Sequence, residues 1–95
     1  MISETRADRL HAILTQHFQP VRIEIQDDSA RHAGHSGARE GGQTHFNVLV
    51  VAQRFEGQSR VQRSRMVHEV LAQEFSEGLH ALSLVLRTPG EAGLG

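Results

Sequence analysis

His45-Phe46-Asn47-Val48-Leu49-Val50-Val51-Ala52 and His80-Ala81-Leu82-Ser83-Leu84-Val85-Leu86 read as two strands, and Ser59-Arg60-Val61-Gln62 opens a helix between them. The apolar half of the first run is nearly continuous, the mark of a more buried strand than the one that precedes it. The second alternates, with Leu82, Leu84 and Leu86 on one side. Between them Ser59 and Gln62 have capping-box spacing, and Met66, Val67, Val70, Leu71 and Phe75 recur along one helical face up to a stop at Gly78. A helix joining two strands predicts that they lie parallel, through a right-handed crossover.

Working outward, Ser3 to Phe18 reads as a helix capped by Ser3, with Ala7, Leu10, Ile13, Leu14 and Phe18 in one apolar stripe. Pro20 ends it. Val21-Arg22-Ile23-Glu24-Ile25 alternates strictly and predicts a strand with one wet face, antiparallel to the next. Residues 26–43 carry no periodicity and hold Gly34, Gly37, Gly41 and Gly42, so they form a long loop of the kind that tends to be functional or disordered. Thr88 to Gly95 reads as a flexible tail. The order is α-β-β-α-β: an α/β (α+β) domain whose helices pack on one face of a three-stranded mixed sheet. With 95 residues, the chain holds one domain, its core spanning about residues 3–88.

Composition excludes several chemistries. Ten cations, all Arg, offset eleven anions for a net charge of −1, so no overall field steers the chain to nucleic acid. No apolar run nears the roughly 20 residues that span a bilayer, and the mixed-charge start lacks the apolar stretch of a secretion signal, so the expected location is the cytoplasm. Cysteine is absent, which removes disulfides, thiol catalysis and any self-contained thiolate metal site. Asp27-Asp28 reads as a turn, there is no phosphate loop with Lys, and His68-Glu69 has no second His four residues on. No enzymatic activity is expected.

The seven His are the only soft ligands. His32 and His35 sit three apart in the loop, which fits either solvated side chains or a pair of ligands too few to close a zinc site. His80 and His45 begin the two parallel strands, so they fall at one end of the sheet, where the loop carrying His32 and His35 also empties. His80 fits both a core-edge residue and a ligand. Around the second helix, Arg54, Arg60, Arg63 and Arg65 stand at the entry and Glu69, Glu74 and Glu77 at the exit, opposing the helix dipole. That order fits a screened surface or an anion-facing patch.

Taken together, Phe18-Gln19-Pro20, Asp27-Asp28-Ser29 with Arg31-His32, Gly42-Gln43-Thr44-His45-Phe46, Arg54-Phe55-Glu56-Gly57, Arg63-Ser64-Arg65-Met66-Val67 and His80-Ala81-Leu82 resemble the BolA family from about Leu10 to Pro89. The resemblance implies a KH-like fold without the GxxG loop of RNA-binding KH domains; Gly57 stands alone there. It further implies a non-enzymatic adaptor that binds a monothiol glutaredoxin and shares a [2Fe–2S] cluster, with sulfur ligands from the glutaredoxin and glutathione and none held by the isolated chain. His80 matches the family's ligand at the start of the last strand. His32 matches the loop ligand, with His35 a further candidate, and His45, Arg63 and Arg65 would face the partner. The alternative implied role is a DNA-binding transcription regulator acting through Arg54, Arg60, Arg63 and Arg65. Alone, the chain is expected to be a monomer or weak homodimer, without membrane contact. It departs from the family pattern at Gln43, commonly Glu, and at Ser64, commonly His.

Overall fold

A computed structural model describes residues 5–28 and 44–94. Helix α1 (Arg6–Phe18) is followed by strands β1 (Arg22–Asp27) and β2 (His45–Val51), a 3-10 turn (Gln53–Phe55), helices α2 (Arg60–Val70) and α3 (Ala72–Ser76), and strand β3 (Ala81–Arg87). The sheet order is β1-β2-β3. β1 runs antiparallel to β2 (Ile23 opposite Val50) and β3 parallel to it (His45 opposite Ala81, Val50 opposite Leu86). The predicted order and strand directions are those observed. β1 runs on to Asp27, two residues beyond the predicted end, because its ladder continues to Phe46.

Thr5, not Ser3, caps α1: its hydroxyl accepts from the Asp8 N–H and the Asp8 carboxylate accepts from the Thr5 N–H, both at 3.1 Å. Ser3 lies outside the described residues. At the other end Gln19 takes a left-handed conformation (φ 44°), its N–H bonds to the Thr15 carbonyl, and Pro20 prevents continuation. The buried stripe Leu10, Leu14 and Phe18 meets Phe46, Val48 and Val50 of β2, Leu86 of β3, and Phe55, Val67 and Leu71. Each such side chain removed from water contributes about 1.5–3 kcal/mol, and together they hold the helices to one face of the sheet.

Three local features differ from the sequence reading. The second helix is not continuous to Phe75. Leu71 leaves helical geometry (φ −101°, ψ 9°) with its side chain completely buried, and divides α2 from α3. That turn brings Glu74 inward, where the Arg6 and Arg9 guanidiniums each donate to it at 2.9 Å. Arg6 also donates to the Glu77 carbonyl, and a Cβ on Gly78 would sit 3.4 Å from the Arg6 guanidinium. That is an ordinary contact, and it is the φ of 124° that calls for glycine there.

The segment after β3 is the second difference. Rather than a loose tail, residues 88–94 form a hydrogen-bonded turn: Ala92 N–H to the Thr88 carbonyl, Leu94 N–H to the Pro89 carbonyl, and Thr88 N–H to the Glu91 carboxylate. The third is the charge order that opposes the dipole of α2. Two of its members, Arg63 and Glu74, are buried in ion pairs with distant elements, so tertiary pairing outweighs the dipole term.

Candidate functional site

The parallel register places the starts of β2 and β3 side by side. There the His45 and His80 rings stack, centroids 5.6 Å apart and planes 21° from parallel. One residue organises both. The buried Thr44 offers its backbone carbonyl to the N–H groups of His80 and Ala81, both at 2.9 Å. Its hydroxyl lies 2.9 Å from His45 Nδ1. Two successive N–H groups share that carbonyl, and β3 with its pairing begins only at Ala81, so its alternation does not extend back through His80. The His80 ring turns toward His45 instead of following Leu82, Leu84 and Leu86 into the core, and His80 is exposed while His45 is half-buried.

The Asp28 N–H donates to the His45 carbonyl, which fixes the end of β1 against the same corner. A shallow depression of about 210 Å3, lined by Asp28, His45, Asn47, Ala81 and Ser83 among others, opens beside the pair. Among the described residues, no group of three or more His, Asp or Glu is arranged to hold a metal. His32 and His35 lie outside the described residues.

The arginines behave differently from one another. Arg54, Arg60 and Arg65 are exposed around the opening of α2. Arg63, expected to face DNA or a partner, is only 7% exposed and turned inward. Its guanidinium donates to the Gln58 and Leu86 carbonyls and, by two nitrogens, to the Glu91 carboxylate at 2.6 and 3.2 Å. It also lies over the Phe55 ring at 5.9 Å. The bond from Arg63, aided by the Thr88 N–H, holds the Glu91 carboxyl at a pKa of about 2. Arg63 is a structural corner of the fold. Thr44 is the residue that sequence reasoning missed, although a Thr before a His at a strand start was a usable sign.

A three-stranded mixed sheet with this order, helices on one face and a histidine pair at its open end defines a small α+β domain. The chain belongs to the BolA-like protein family, whose model matches residues 14–91. It is 45% identical over 91 residues to Protein BOLA1, chloroplastic, of Arabidopsis thaliana, covering 94% of this chain and 57% of that protein. It is 41% identical over 91 residues to SufE-like protein 1, chloroplastic/mitochondrial, of the same plant, covering 92% of this chain and 24% of that one. The chain thus spans between a quarter and somewhat over half the length of these relatives. Among solved structures, BolA1 from Arabidopsis thaliana aligns with a TM-score of 0.84 at 43% identity, covering 95% of this chain and 98% of that one.

Proposed function

We propose that this chain is a non-enzymatic adaptor that docks a monothiol glutaredoxin and shares a [2Fe–2S] cluster with it. His80 would be one ligand on this side and a loop histidine, His32 or His35, the other. One observation carries the reading: a chain without cysteine presents an exposed imidazole, His80, at the open end of the sheet. That donor set fits half of a cluster and no more, because thiolates must come from elsewhere. When bound, the cluster supplies one-electron or iron-transfer chemistry, and imidazole in place of thiolate raises its potential. The chain's own part is to hold the His80 ring outward and to keep its backbone fixed through Thr44.

The test is a titration of [2Fe–2S]-loaded monothiol glutaredoxin with this protein, followed by visible circular dichroism. A new spectrum that saturates at one-to-one and vanishes in His80→Ala is expected. An unchanged spectrum in His80→Ala overturns the reading. The DNA-binding alternative rests on the exposed Arg54, Arg60 and Arg65. Three phosphate contacts would give a log–log salt slope near −3, which a cluster-bridged complex lacks.

A further inference from the structure

We infer that His45 is a positioning residue for His80, fixing its ring by stacking; the inference rests on the shared-cluster reading and adds a second residue to it. An exposed side chain at a strand end samples several rotamers, and each one lost on binding a partner is a cost. His80 is exposed, but a ring lies parallel against it at 5.6 Å. That neighbouring ring is itself tied down: His45 is half-buried, its Nδ1 is 2.9 Å from the Thr44 hydroxyl, and its backbone carbonyl holds the Asp28 N–H. The same Thr44 holds the His80 backbone. Thr44, His45 and His80 therefore form one unit in which backbone and ring of the outer histidine are both restrained before any partner arrives. With the ring planes only 21° apart, it is the face of the His45 ring that His80 meets, while the Thr44 contact engages its Nδ1.

Stacking needs a flat ring and not an imidazole, so His45→Phe and His45→Ala separate this role from ligation. In the glutaredoxin titration, His45→Ala is expected to weaken the cluster-bearing complex about two- to tenfold, the range an aromatic pair contributes, and to alter its visible dichroism. His45→Phe is expected to restore both. A Phe variant as defective as the Ala variant would mean that the imidazole nitrogen itself is needed, and an Ala variant identical to wild type would mean that the stack does nothing. Either overturns the inference.

Proton and carbon NMR of the free chain keeps this separate from the fate of the cluster reading. The His80 ring resonances should show Overhauser contacts to the His45 ring in wild type. They should keep a dispersed shift in His45→Phe and move to random-coil positions in His45→Ala. Thr44→Val, which preserves shape and removes the hydroxyl, should weaken the ring–ring contacts. Random-coil His80 shifts in wild type overturn the inference. Ordered shifts with no cluster spectrum sustain the positioning while refuting the proposed function.

Discussion

The two ends of the sheet carry equally suggestive residues and use them in opposite ways. At the end where β2 and β3 finish, Arg63 is buried and bonded to Gln58, Leu86 and Glu91, with Phe55 beneath it. At the end where they begin, His80 is exposed, with its ring against His45 and its backbone on Thr44. The arginine end closes the fold and the histidine end leaves its outer imidazole exposed. A cation or an imidazole in a sequence is therefore a candidate for function only when the fold leaves it unspent.

The contrast breaks if the arginine end proves dispensable. Phe55→Ala removes a fully buried ring that packs against Phe18 at 5.2 Å and under Arg63, and should cost about 3–5 kcal/mol in denaturant unfolding. Arg63→Ala takes the donor from the Gln58 carbonyl and the shorter of two side-chain donors from the Leu86 carbonyl, and should cost about 2 kcal/mol by the same measurement.

Acid sharpens the comparison. The Glu91 carboxyl titrates near 2 in the folded chain, below its ordinary 4.5, chiefly through its bond to Arg63. Depression means that its stabilising effect is complete above pH 4.5 and is lost as pH falls toward 2. Glu74, lowered by Arg9 and Arg6 against its own burial, shifts the same way. Unfolding curves between pH 5 and 2 should therefore show a steeper loss in wild type than in Glu91→Gln. The smallest effect belongs to the histidine end. His80→Ala should change stability by less than about 0.5 kcal/mol, as exposed positions do. A loss comparable to that of Arg63→Ala would make His80 part of the scaffold.

Much of this was legible in the chain. The alternation in Val21 to Ile25, the apolar run after Phe46 and the three leucines of β3 encode the sheet, its directions and the helix-covered face. The meeting of His45 and His80 followed from parallel strands starting together. What stayed hidden depends on partners far along the chain. Nothing near Arg63 announces Glu91, and nothing near Glu74 announces Arg6 and Arg9, at the opposite end of the sequence. The break at Leu71 is hidden for the same reason, since local propensity favours a continuous helix and the ion pairs of Glu74 are made across the domain. The dipole-opposing charge order was the visible trace of those pairs, and it was ambiguous because it fits a binding patch equally well.

The parallel pairing of β2 and β3 gives the histidine corner a place in the order of folding. An antiparallel hairpin can zip from its turn, but His45 and His80 meet only after the whole crossover through α2 and α3 has closed. The corner thus exists only once that crossover has closed. An incompletely folded chain, whether newly made or damaged, carries both histidines yet has no pair to offer, and the open end of the sheet doubles as a certificate that the crossover behind it is complete.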